Sequence, residues 1–227
     1  MKINTESKHL GVVNGPALAV DALIFSIKDN ALQVLLLKIS DGPYKDKWAL
    51  PGGLAQLSET LDDTIVRILK DKAGIKKLYT EQLYTFSDLN RDCRGRIVST
   101  AYMSLVDSGV YNLKTVEEYY SDIAWFPVNK LPVLAFDHKK IIQYGIARLQ
   151  NKIEYSNIAY SLLPREFTLA DIQKVYEIIL GKKLDKRNFR KKIRMFDILE
   201  ESGGLDHSAK RPARLYRFKK QSLLFVK

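Results

Sequence analysis

The chain has a single cysteine, Cys93, so no internal disulfide can form, and the expected compartment is the reducing cytoplasm. Long hydrophobic runs are missing. The longest, such as Val34-Leu35-Leu36-Leu37, fall far short of the ~20 apolar residues that span a bilayer, so no membrane partner is expected. The opening MKINTESKHLG carries no apolar segment, so a secretory leader is not expected either. There is no internal repeat and no low-complexity segment. With 46% hydrophobic and 28% charged residues, the composition excludes a disordered chain. Acidic residues are scarce in one region only. From Lys182 onward 15 Lys and Arg face 5 Asp and Glu, so +10 of the net +11 lies in the last fifth of the chain. Such asymmetry points to a separate module that meets a polyanion, although a solvated basic tail would show the same count.

What is present is organised around Trp48–Ile75, WALPGGLAQLSETLDDTIVRILKDKAGI. It reads as a strand, a tight Gly52-Gly53 turn, a loop and a helix. Ser58 is a suitable N-cap before the apolar face of Leu61, Ile65, Ile68 and Leu69. Gly74 sits where a left-handed residue closes a helix. The stretch resembles the Nudix box, G-x5-E-x7-R-E-U-x-E-E-x-G-U with U aliphatic. Gly53, Glu59, Arg67, Leu69, Gly74 and Ile75 match at the right spacing. The three helix carboxylates do not match; Ile68, Asp71 and Lys72 stand in their places. Those three positions share one side of the helix, where hydrolases of the family hold Mg²⁺ or Mn²⁺ beside a pyrophosphate. A hard cation needs several oxygen ligands. Ile68 offers none, Lys72 puts a positive charge where the cation would sit, and Asp71 is one methylene short. The expectation is a Nudix scaffold with no metal, no cofactor and no catalytic residue.

Around the box, residues 16–27 and 32–39 read as a hairpin turning at Asp29-Asn30. Further strands are expected at 78–86, 97–105 and 123–128, and a helix over 139–151 capped by Asp137 or His138. A polar loop dense in arginine, Arg91-Asp92-Cys93-Arg94-Gly95-Arg96, joins two of the strands. This order suits an α/β/α sandwich with a mixed sheet. Trp48 and Tyr102 read more readily as core than as ligand platforms.

A second module begins near Phe167. Thr168-x-x-Asp171 resembles a capping box, and Leu169, Ile172, Val175, Tyr176 and Ile179 follow at helical spacing up to Gly181. Asp185 is the expected N-cap of a second helix reaching about Ile198. Two helices joined by a short glycine-containing turn form a helix-turn-helix. Phe189, Ile193 and Phe196 make one narrow apolar stripe on the second helix. Arg187, Arg190, Lys191 and Arg194 lie opposite, with Lys186 and Asn188 near its start. A recognition helix needs this division between anchor and cationic face. The basic loop Lys210, Arg211 and Arg214, before a returning strand Leu215–Phe218, reads as the wing of a winged helix.

Taken together, the degenerate box and the basic winged helix resemble the Nudix-related transcriptional regulators, which control NAD metabolism or the use of arabinose and other pentoses. The resemblance is carried by Leu50-Pro51-Gly52-Gly53, Arg91–Arg96 with Val98–Tyr102, Leu134-Ala135-Phe136-Asp137-His138 and Asp185–Arg190. It implies an effector-sensing domain over 1–153, a winged helix domain over 154–227, a homodimer, a double-stranded DNA operator and a small-molecule effector, either ADP-ribose or a pentose such as arabinose. Arg91, Arg94 and Arg96 suit a diphosphate, or else they pair with Asp88 and Asp92; Glu59 and Asp71 would hydrogen-bond sugar hydroxyls. The rival reading is a Nudix hydrolase acting on ADP-ribose or a nucleoside diphosphate sugar, its basic tail recruiting RNA or an acidic substrate. A third is an RNA-binding adaptor.

Overall fold

The computed structural model describes residues 15–75, 79–107, 119–207, 211–220 and 222–223. The first hairpin is β1, Ala17–Lys28, and β2, Ala31–Ile39. Its tip, Asp29-Asn30, has both φ values positive, 51° and 59°, the turn whose twist matches a two-residue hairpin. Short strands β3, Trp48–Ala49, and β4, Gly52–Leu54, precede α1, Leu61–Ala73. Then come β5, Thr80–Phe86, β6, Ile97–Leu105, β7, Tyr120–Pro127, and α2, His138–Lys152. A 3-10 turn at Ile158–Leu162 leads to β8, Phe167–Thr168, α3, Leu169–Leu180, α4, Lys186–Met195, β9, Leu199–Asp206, and β10, Ala213–Phe218.

The larger sheet runs β3-β2-β1-β6-β5, with β4 paired to β1 and β7 to β2. Only β1 and β6 are parallel, so the sheet is mixed. In β1, Ala22 and Ile24 face α1 through Ile65, Ile68 and Leu69, while Leu23 and Phe25 face α2 through Ile141 and Ile142. Both faces are covered, which is why β1 reads as a continuous apolar run rather than an alternating one. Gly145 of α2 has no room for a side chain, since a Cβ would lie 2.0 Å from Leu23 Cδ2.

Several local expectations are corrected. Gly52-Gly53 is not a turn but part of β4, paired with Val20 and Asp21. The N-cap of α1 is Thr60, not Ser58: the helix starts at Leu61, and Thr60 and Asp63 close a reciprocal capping box. Asp137 precedes α2 but makes no side-chain cap bond, because Arg91 takes its carboxylate. Helix α4 stops at Met195, since Asp197 turns left-handed at φ 50° and lets Ile198 point inward, 5% exposed. The Ser202-Gly203-Gly204 stretch belongs to strand β9, which sequence composition hid.

The second sheet, β8-β10-β9, carries the wing. Thr168 caps α3 through its hydroxyl and Asp171 returns the bond, as expected. Gly181, φ 65°, ends α3 in the left-handed region, which a glycine enters without steric cost. Asp185 caps α4 by accepting from Asn188 N–H at 2.8 Å. Phe167, Tyr176, Phe189, Ile193 and Phe218 form the small core and join one apolar cluster with Ile142 and Leu149 of α2.

Candidate functional site

Two surfaces carry chemistry. The first is on α4. Lys186, Arg187, Asn188, Lys191 and Arg194 are exposed, while Phe189 and Ile193 are buried, as the stripe pattern requires. With Arg190 they line one shared concave face. Arg190 is only half exposed, and its Nε is enclosed without a hydrogen-bond partner, so it stands closer to the helix base than the other four cations. On the wing Arg211 is exposed, and Arg214 is exposed but bonded to Glu201 at 2.7 Å across the hairpin. Arg217 pairs with Glu200 in the same way. The wing strands are therefore partly neutralised from within, while Lys186, Arg187, Lys191 and Arg194 of α4 face outward. Lys210 lies outside the described residues.

The second surface is a cavity of 390 Å³ between β1, β4 and the start of α2, within the range of small-molecule sites. Its floor is a buried ionic network. Arg91, with a side chain only 4% exposed, donates to Asp21 Oδ2 at 3.1 Å and to Asp137 Oδ1 at 2.8 Å. Ser99 Oγ donates to Asp21 Oδ2 at 2.6 Å. His138 Nδ1 accepts from the Leu50 N–H at 2.8 Å, and its Nε2 lies 3.5 Å from Asp21 Oδ1. Burial pushes the Asp21 carboxyl up, but His138, Ser99 and Arg91 outweigh it and hold it at about 2. Gly52 is required here: a Cβ would meet Asp21 Oδ1 at 2.3 Å.

The walls are aromatic and cationic. Phe136 packs tilted against Tyr44, ring centroids 4.1 Å apart, and carries the Arg94 guanidinium 5.1 Å above it. Its φ of 53° is a strained conformation for a bulky residue, and it turns the chain so that Asp137 and His138 both reach the floor. Tyr119 and Tyr120 form the facing wall. Lys72 Nζ donates to Gly52 O at 2.6 Å and to Tyr120 Oη at 3.1 Å.

The five residues expected to meet an effector separate. Arg91 and Arg94 line the cavity; Arg96, Glu59 and Asp71 do not. Arg94 is held by Asp92 at 2.8 Å, and Arg96 donates to the Ser87 and Asp88 carbonyls. Glu59 forms a two-bond pair with Arg67, at 2.6 and 2.8 Å, and the guanidinium holds its carboxyl down at about 2. It ties the loop to α1. Among the described residues, no three His, Cys, Asp or Glu side chains converge as a metal would need, and Ile68 and Lys72 stand at two of the three box positions where the hydrolases carry carboxylates. Sequence reasoning missed Lys72 as a cavity residue and the aromatic wall; the lysine in a carboxylate position was the available signal.

Comparison with known proteins matches these two surfaces to two known modules. Residues 16–145 match the NUDIX domain, and residues 159–218 match the NrtR DNA-binding winged helix domain. An ADPR responsive transcriptional repressor, NtrR, of Acinetobacter baylyi is 37% identical over 92% of this chain and 85% of its own. Shewanella oneidensis NrtR complexed with a 27mer DNA superposes with a TM-score of 0.79 at 35% identity, over 89% of this chain and 93% of that one. Its NUDIX domain complexed with ADP ribose matches at 35% identity and TM-score 0.54, over 60% of this chain and 89% of that one. An ADP-ribose pyrophosphatase of Methanocaldococcus jannaschii is 38% identical over 56% of this chain and 72% of its own length. No described helix is long and apolar enough to cross a membrane. With a Nudix fold carrying an altered box and a winged helix whose α4 turns a basic face outward, the chain belongs to the NrtR family of DNA-binding, Nudix-related transcriptional regulators.

Proposed function

We propose that this chain is a cytoplasmic repressor that divides near Ile153, binds its operator as a homodimer and releases it when ADP-ribose enters the cavity. The observation that carries the DNA half is the exposed cationic face of α4, backed by the buried Phe189 and Ile193. Each protomer sets α4 into a major groove, with half-sites about one turn, ~34 Å, or a multiple of it apart. The exposed Arg211 of the wing meets phosphate. The effector half rests on a cavity with aromatic walls for a base and cations for a diphosphate, and on the ADP-ribose named for two relatives.

Coupling runs along α2. Its first turn holds the cavity floor through Asp137 and His138, and near its end Gln150 donates to Ile179 O of α3 at 3.0 Å. A ligand that shifts Arg91 or Phe136 moves α2 against α3. Such linkage is typically worth about 1–3 kcal/mol, or roughly 5- to 150-fold in affinity.

The test is a gel shift with the DNA upstream of the protein's own gene, titrated with ADP-ribose and, separately, with arabinose. Release by ADP-ribose alone is expected. Release by arabinose alone selects the pentose reading, and no shift at all removes the DNA reading. Similarity to the pyrophosphatase favours one rival, residual hydrolysis. With Ile68 and Lys72 in carboxylate positions, incubation with ADP-ribose and Mn²⁺ should give no turnover. A rate of about 1 per second or more would make the chain an enzyme.

A further inference from the structure

We infer that Glu201 of β9 is a specificity residue of the DNA interface: its carboxylate masks Arg214, the wing cation on the α4 side, so that generic duplex gains little from the wing. This rests on the DNA reading and goes beyond it. Side chains alternate along β10, so Arg214, Tyr216 and Phe218 share one face and Arg217 lies on the other. Phe218 is buried in the same cluster as Phe189 and Ile193 of α4. Arg214 continues that face beyond the core, toward the wing tip. In the ladder Arg214 stands opposite Leu205 and Tyr216 opposite Glu201, so Ser202, Gly203 and Gly204 bulge against Leu215 alone. Gly203, at φ 84°, supplies a left-handed residue within the bulge. The bulge lets Arg214 Nη1 donate to Glu201 Oε1 at 2.7 Å, although the ladder does not pair them.

Both partners are exposed, the Arg214 side chain by 70% and that of Glu201 by 52%, and solvent screens what such a pair gives the fold. A phosphate that nears Arg214 meets the negative charge of Glu201 as well. Like charges brought together suppress the wrong partner. Generic binding is almost wholly a sum of phosphate contacts, so it loses the wing contact outright. On the operator, α4 fixes the register through base edges. A guanidinium has five donors in a fork, and the bond to Glu201 engages Nη1. The other edge of the fork then takes a phosphate presented from the far side. Arg217 and Glu200 form a pair of the same length, 2.7 Å, on the opposite face of the same hairpin, and so provide the control.

The experiment is fluorescence anisotropy of the full-length protein on the duplex upstream of its own gene and on a scrambled duplex of equal length, across a salt series. Wild type, Glu201→Gln, Glu200→Gln and the double variant E201Q/R214M are compared. Glutamine keeps an acceptor for Arg214 and removes the charge. E201Q should bind the scrambled duplex several-fold tighter, with a salt slope steeper by about 0.9 for one added phosphate contact. It should gain less on the upstream duplex, so the ratio of the two affinities falls. E200Q should leave both affinities at wild-type values. Adding R214M to E201Q should return the scrambled duplex to its wild-type affinity, because the net charge is then that of wild type. Unchanged affinity of E201Q for the scrambled duplex overturns the inference, as does an equal gain on both duplexes. An equal gain in E200Q also overturns it, since net charge alone would then be at work. Each of these leaves the DNA reading standing. A wild type that does not prefer the upstream duplex overturns both.

Discussion

Replacing Arg91 by Met should destabilise the Nudix domain far more than it weakens any ligand. The guanidinium is 4% exposed and bridges two carboxylates that are each 8% exposed, Asp21 and Asp137. Methionine fills much of the volume but removes the only described side-chain cation bonded to both. Breaking a buried ion pair by deleting one partner typically costs about 3–5 kcal/mol, because the other charge stays buried. For a domain of this size that is a fall in Tm of roughly 6–20 °C. The two tryptophans, Trp48 and Trp125, sit in β3 and β7, so fluorescence melting reports this sheet directly. The control is Lys140→Ala, which cuts an ion pair to Asp88 whose side chains are 64% and 63% exposed; solvent screens such a pair, so the melt should barely move. The defect of R91M should also depend on pH. In wild type the Asp21 carboxyl is depressed from 3.8 to about 2. Its contribution, about 2 kcal/mol by linkage, is complete above 3.8 and disappears as pH falls toward 2. Without Arg91 the Asp21 carboxylate takes up its proton at higher pH, so the gap between variant and wild type should narrow on acidification. An R91M melt within a degree of wild type, or a gap that widens in acid, would refute a charged buried floor.

Other outcomes follow from the same geometry. Gly52→Ala drives a Cβ against Asp21 Oδ1 at 2.3 Å, and the anchored carboxylate cannot retreat, so ADP-ribose binding should be lost in calorimetry while operator binding persists in a gel shift. Thr168→Ala removes the acceptor for Ala170 and Asp171 N–H; about 1 kcal/mol of α3 stability should go, visible as a lower far-UV melt. Lys191→Glu should abolish operator binding, and Arg190→Glu should also lower the yield of folded protein because Arg190 is half buried. Operator affinity should fall with salt by about 0.9 log unit per phosphate contact per decade; a flat response in filter binding would remove the phosphate contacts.

By itself the sequence determined what depends on neighbours along the chain. The αL glycines Gly74 and Gly181, the Thr168–Asp171 capping box, the Asp29-Asn30 hairpin and the apolar stripe of Phe189 and Ile193 are local matters of dihedral and period, and all stand in the structure. The altered box was equally plain, because a missing carboxylate is missing in any fold. Tertiary structure decided which charge meets which. Arg91 is 70 residues from Asp21 and 46 from Asp137, so nothing in its polar loop distinguishes a phosphate ligand from a buried structural tie. Glu59 looked available until Arg67, eight residues on, closed over it. Strand β9 has a weak pattern of its own and exists because β10 supplies hydrogen bonds across the wing. Lys72 could be identified as a wrong charge in the helix, but only the packing of β4 and β7 brings Gly52 O and Tyr120 Oη to its ammonium. Long-range electrostatics and strand pairing are set by distances in space, which spacing along a chain does not encode.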